Sequence, residues 1–196
     1  GTGYRYTVSA GDGSFWLSEV DEPEILDEDQ FGYRLRVTRW DSREPCYGIV
    51  TADGTEVIAP VYERVEIPFA DRFLLYEGGA SQGPVMGWCR LTDETGGTLC
   101  ARFHWIDYSV FDDGYIGIAV CYGERAAYPC YDEDGQPMPE GYWLVDRDGK
   151  LCSERFVKLS FGDGDETHAA SEDDVLRALR EDGTEELLPV AELLLP

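Results

Sequence analysis

Apolar and polar positions alternate in short runs along most of this chain, and turn-forming residues break the runs at near-regular intervals. From Cys46 to Tyr76 the order reads strand, Asp-Gly turn, strand, loop, strand. Tyr47 to Thr51 and Val57 to Tyr62 are rich in β-branched, aromatic and aliphatic residues, and they flank Ala52-Asp53-Gly54-Thr55. Asp-Gly between such runs predicts a hairpin, because the favoured hairpin turns need φ > 0, which glycine takes without a Cβ clash. Pro60 has no N–H to donate, so the second run is expected at a sheet edge or strand end.

The signal recurs. Residues 53–61 read DGTEVIAPV and residues 182–190 read DGTEELLPV, with Asp, Gly, Thr, Glu, Pro and Val in one register. Tyr142 to Asp146 leads into Asp148-Gly149, Met86-Gly87-Trp88-Cys89 into Thr95-Gly96-Gly97, and Tyr4 to Val8 into Asp12-Gly13. Phe69-Ala70-Asp71-Arg72, Phe111-Asp112-Asp113-Gly114 and Phe161-Gly162-Asp163-Gly164 each precede another β-like run. The turn glycines 13, 54, 97, 149 and 183 recur at intervals of roughly 40 residues, a period that marks an array of small supersecondary units. The expected fold is all-β: a single domain over 1–196 of about four to five hairpin or three-stranded units. These units run approximately over 1–40, 41–82, 83–138, 139–171 and 172–196, and the array is propeller-like or solenoid-like.

In these features the chain resembles the WG-repeat family of bacterial proteins. That family's unit runs as aromatic-Gly, aliphatics, Asp-x-x-Gly, an aliphatic pair, Pro, x, Tyr, then Phe-x-x-Gly and a final strand. The best copy here is Tyr47-Gly48-Ile49-Val50, Asp53-Gly54, Val57-Ile58, Pro60, Tyr62 and Phe69. No unit has Trp-Gly in order, Gly87-Trp88 being inverted, and only the second and last units keep the Pro. The resemblance implies a β-rich repeat scaffold, often on surface or secreted proteins, and brings no catalytic residues with it.

Composition narrows the partners. An aromatic content of 13% suits sheet packing and argues against disorder despite the charge. The formal net charge of −24 disfavours nucleic acid and anionic membranes, both of which require Lys and Arg against phosphate. No apolar run approaches the ~18 residues of a membrane-spanning helix, so no membrane insertion is expected. The chain opens Gly1-Thr2-Gly3 without Met, which favours an exported protein with its leader removed, and the expected location is extracytoplasmic.

Six cysteines are present without a C-x-x-C, so zinc-ribbon and thioredoxin readings have no support. Cys100 and Cys152 follow their turn glycines at an apolar repeat position and are expected to be buried. Cys121 and Cys130 bracket a short loop and are the candidate disulfide. The acidic stretch 19–30 is read as an exposed connector, since like charges repel and stay solvated. Arg34, Arg36 and Arg39 then alternate with apolar residues on a strand and are expected to pair with that connector. His104, with no second His or nucleophile near it in sequence, reads as a packed or surface histidine.

Residues 122–141 interrupt the repeat. They bring together Tyr122, Tyr128, Tyr131, Asp132 and Asp134, and loops on a rigid β scaffold are where binding usually resides. The competing reading is a long hairpin loop packed on its own aromatics. In 161–174, Asp163, Asp165, Thr167 and Asp174 match positions 1, 3, 5 and 12 of a calcium loop, but His168 stands where glycine is required, and the repeat reading is preferred. Ser171 to Asp174 mimics a helix capping box, yet the DGTEELLPV match predicts a strand hairpin for the region that follows. No catalytic motif, metal site or cofactor is indicated. The expected function is a non-enzymatic module binding a protein or glycan; the alternative is an acidic inhibitor or immunity-type protein masking a basic partner surface. A hydrolase with paired carboxylates is the third class, with no pair readable among 40 acidic residues.

Overall fold

The computed structural model describes residues 21–29, 32–41, 44–51, 55–78, 87–108, 116–132, 134–161 and 175–193. The expected first hairpin (1–18), the turn at Gly54, the turn at Phe111 and the calcium-like stretch after Phe161 lie outside these residues. The chain is mostly β, in small antiparallel sheets laid down one after another. β1 (Asp21–Asp29), β2 (Gly32–Asp41), β3 (Glu44–Thr51) and β4 (Glu56–Tyr62) form the first, in chain order. β5 (Arg64–Phe69), β6 (Arg72–Glu77), β7 (Trp88–Asp93) and β8 (Thr98–Phe103) form the second. β9 (Trp105–Asp107), β10 (Gly117–Cys121) and β11 (Gly141–Val145) form the third, extended by bridges from Val145 to Leu151 and from Tyr142 to Phe156. β12 (Lys158–Phe161), β13 (Val175–Leu179) and β14 (Glu185–Pro189) form the fourth, followed by the single helical turn Val190–Leu193. Pro60 lies on β4, an edge strand. Among the described residues no helix is long and apolar enough to cross a membrane.

Among the described residues, three cores separate the four sheets. Ile49 and Ile58 of the first meet Val65, Phe73 and Leu75 of the second. Leu74, Tyr76, Leu91 and Phe103 of the second meet Ile106, Ala119, Trp143 and Val145 of the third. Ile118, Leu144 and Phe156 of the third meet Phe161, Leu176 and Ala178 of the fourth. Side chains on a strand alternate between faces, so β6 sends Phe73 and Leu75 one way and Leu74 and Tyr76 the other. That is why its four central residues form an unbroken apolar run.

The sheets join through single residues. Tyr62, Phe103 and Phe156 end one sheet; Glu63, His104 and Val157 make the step; Arg64, Trp105 and Lys158 open the next. At each step the same backbone bond forms to the second strand of the new sheet: Glu63 N–H to Tyr76 O, His104 N–H to Val120 O, Val157 N–H to Leu179 O. The steps therefore fall in the middle of the units read from glycine to glycine, and the stretch Cys46 to Tyr76 spans two sheets rather than one.

The hairpin turns carry one more residue than a two-residue Asp-Gly turn. At Asp93, Asp132 and Asp146 the aspartate N–H donates to the carbonyl four residues on, and its carbonyl accepts from the glycine three residues on. Its carboxylate accepts from the amides two and four residues on. In these three turns the left-handed glycine is Gly96, Gly135 or Gly149, so the turn glycine of the second sheet is Gly96 and not Gly97. Arg180 to Thr184 repeats the backbone pattern with Gly183.

Two further expectations are corrected. The acidic stretch 19–30 is largely strand: β1 pairs with β2, with Glu24 opposite Arg36 and Asp27 opposite Arg34. Cys152 is exposed, unlike buried Cys100. A Cβ added to Gly149 would strike the Cβ of Cys100, whereas one added to Gly183 would meet nothing within 4 Å.

Candidate functional site

β5 and β9 are the first strands of consecutive sheets, and their alternation is matched. Val65 and Ile106 point into the cores. Arg64 and Glu66 on one strand, and Trp105 and Asp107 on the other, line a cleft of about 590 Å³ that Ile67 and Pro68 help to close. The Arg64 guanidinium lies 5.0 Å from the Trp105 ring centroid and 5.4 Å from that of Tyr76, and the two rings are 4.7 Å apart. Arg64 also forms an ion pair with Glu66 Oε1. Glu66 Oε2 accepts from the Tyr76 hydroxyl at 3.1 Å. Burial raises the Glu66 pKa above the usual carboxylate range; Arg64 and Tyr76 oppose this, and the nearby Asp107 carboxylate adds to it. The cleft thus holds one guanidinium, two carboxylates and an aromatic wall. Sequence reading missed it because its two halves lie on separate strands, and each half reads as an ordinary alternating strand.

A second constellation lies under the inserted segment. His104 is 1% exposed, Cys121 0% and Cys130 5%. Their donor atoms all lie within 4.8 Å of one another. His104 Nε2 is 2.7 Å from Tyr128 O, and Tyr122 N–H donates to Nδ1 at 3.2 Å, so the partners fix the tautomer with the proton on Nε2. Cys130 Sγ is 3.2 Å from Nδ1 and 3.6 Å from Nε2. A sulfur so nearly equidistant from both nitrogens sits over the ring face, since in the ring plane it would overlap Cε1. The Cys121 thiol is directed at Met138 O, 3.5 Å away. The hydrogen bond from Cys130 holds Cys121 well below the usual thiol range, against its burial and with help from His104. The same bond, with burial, pushes Cys130 well above it. Burial works against a charged His104, but its bonds to Cys121 and the Tyr128 carbonyl outweigh this and raise its pKa. Cys121 and Cys130, the candidate disulfide pair, lie side by side here as free thiols. His104 is packed, as expected, but against two thiols that the sequence places 17 or more positions away.

The insert itself folds on local bonds. Residues Gly123–Arg125 form a single 3₁₀ turn, Tyr131 bridges to Pro137, and Met138 N–H donates to Cys130 O. Of the five residues expected to bind, Tyr128 and Tyr131 are 46% and 51% exposed. Tyr122 is half-buried beside His104, with ring centroids 5.6 Å apart, and the Tyr128 ring meets the Trp88 ring edge-on at 5.0 Å. Asp132 spends a carboxylate oxygen on the amides of Asp134 and Gln136, and Asp134 is exposed in the same turn. None of the five lines the cleft. No family model, curated protein or solved structure matches the chain.

Proposed function

We propose that this chain is a non-enzymatic binding module, a β-repeat array of the WG-repeat kind, that takes a cationic side chain of a basic protein partner in the cleft between β5 and β9. The observation that carries this reading is the placement of Arg64. Its guanidinium lies over two aromatic rings and is paired with Glu66. It occupies the site as a partner's arginine or lysine would. Cations over Trp and Tyr faces are held by the ring quadrupole, and the Glu66 carboxylate pairs with the guanidinium held there. The net charge of −24 adds long-range attraction for a basic surface. Both Glu66 oxygens are already engaged, by Arg64 and by Tyr76, which supports a binding role over proton transfer.

The test is a titration of the protein with arginine- and lysine-rich peptides, followed by tryptophan fluorescence. Trp105→Ala and Glu66→Gln should each weaken binding about 10-fold, the worth of one cation–π or charge contact. Rising salt should weaken it further, and so should acidification through the raised Glu66 pKa, where the carboxylate loses its charge. Affinity for uncharged glycans that is indifferent to salt, or peptide binding untouched by both substitutions, would refute a cation site in this cleft.

A further inference from the structure

We propose that His104, Cys121 and Cys130 bind a zinc ion that fastens the inserted segment to the third sheet. The first support is positional. The repeated backbone bond makes Glu63, His104 and Val157 equivalent, and likewise Tyr76, Val120 and Leu179. The residues after that second set are Glu77, Cys121 and Arg180. The sheet architecture thus accepts Glu or Val at the first position and Glu or Arg at the second. Histidine and cysteine stand there together only in the third of these three sheets, where the insert also delivers Cys130 over them.

The second support is the orientation of the imidazole. A metal-binding histidine commonly gives its other ring N–H to a carbonyl or carboxylate, which fixes the tautomer and turns the free lone pair toward the ion. His104 Nε2 makes that bond to Tyr128 O at 2.7 Å, which leaves Nδ1, with its lone pair in the ring plane toward Tyr122 N–H, as the donor. The weaker 3.2 Å bond from Tyr122 N–H is the one the ion replaces. Cys130 Sγ, now over the ring face at 3.2 Å, turns about its Cα–Cβ bond to meet the ion; the N–S edge of a zinc tetrahedron is about 3.5 Å.

Charge selects a divalent ion, and the thiolate–imidazole donor set suits zinc among these. The three donors are almost fully buried, so a neutral complex is strongly preferred there. Two thiolates, a neutral imidazole and Zn²⁺ sum to zero, whereas Cu⁺ leaves a buried negative charge. Zinc takes four ligands, and a water or the Met138 carbonyl, which already faces Cys121, completes the set. The ion would then tie together the step between two sheets, the end of β10 and the segment that presents Tyr128 and Tyr131.

The experiment uses the full chain, reduced, purified and dialysed against zinc alone or cobalt alone. One equivalent of metal per chain is expected, and the cobalt form should show sulfur-to-metal charge-transfer absorption with the intense visible bands of a tetrahedral ion. Cys121→Ser, Cys130→Ser and His104→Ala should each weaken uptake by more than the roughly 10–100-fold that loss of a supporting hydrogen bond costs. Cys152→Ser, at an exposed thiol, should leave uptake unchanged. A chelator should lower the melting temperature of the wild type and not that of Cys130→Ser. Wild-type chain that takes up no metal, or takes it up without the charge-transfer band, overturns the proposal even if a variant fails to fold. So does a Cys121–Cys130 disulfide that forms in the purified chain and whose reduction restores no metal binding.

Discussion

Asp93 and Asp146 show how single residues write the turns of this molecule. Each carboxylate caps two backbone amides of its own hairpin, and Asp93 also accepts from the Thr95 hydroxyl at 2.6 Å. That hydroxyl, chiefly, holds the Asp93 carboxyl below its ordinary range, with the amides of Gly97 and Thr95 and the charge of Arg72 adding to it; Asp182 is lowered too, first by the Thr184 amide and then by the Thr184 hydroxyl. A carboxyl that is more acidic folded than unfolded stabilises the fold above its unfolded pKa, and that contribution is lost as pH falls through its folded value. Urea unfolding between pH 7 and pH 3 should therefore show wild-type stability falling on acidification, and Asp93→Asn should fall less steeply. An equal slope in the two proteins would mean that the capping bonds carry no linked proton. The places of these turns were legible from their glycines; the capping aspartate three residues earlier was not, because an adjacent Asp-Gly pair such as Asp148-Gly149 reads as the turn by itself. Which glycine takes φ > 0 was not, because Gly96-Gly97 offers two and only the count of ladder hydrogen bonds chooses between them.

Among elements, the hairpin turns do more than reverse the chain. A Cβ on Gly96 would meet the Val57 carbonyl at 2.8 Å, and one on Gly149 would meet the Cys100 Cβ at 2.6 Å. The turns of the second and third sheets are thus seated on the sheet before. Gly183 has the same left-handed backbone, φ +85° against +73° at Gly149, but no neighbour. The pair separates backbone strain from docking. Gly183→Ala should cost about 1 kcal/mol, the price of the left-handed backbone alone, and Gly149→Ala about 2–4 kcal/mol, since strain and overpacking add. Equal losses in urea midpoint would show that the seating contributes nothing. The β14 hairpin was legible from DGTEELLPV, because turn and strand signals agree there. β1 was not: an acidic run reads as a loop, and only its ladder with β2, a partner later in the chain, makes it a strand. The inserted segment carries its own Asp132-x-x-Gly135 turn, a copy of the repeat signal that its Pro and charged neighbours obscure.

At the scale of the whole molecule, successive sheets bury both faces of the strands between them, and their matched first strands face each other across the cleft. An all-β character followed from the sequence, since alternation and turn spacing are local signals. The cleft and the buried His104 cluster did not. Each depends on residues far apart in the chain, 26 positions for His104 and Cys130, meeting where consecutive sheets join. If the cleft is built for a cation, Arg64 is its internal occupant and competes with the partner. Removing Arg64 distinguishes this from any role in which the arginine itself holds the ligand. Isothermal titration of an arginine-rich peptide into wild type and Arg64→Ala, at low and moderate salt, should show tighter binding by the variant and weaker binding by both proteins as salt rises. Loss of affinity in Arg64→Ala would mean that the guanidinium grips an anionic or neutral ligand, and the cation-binding function would be wrong.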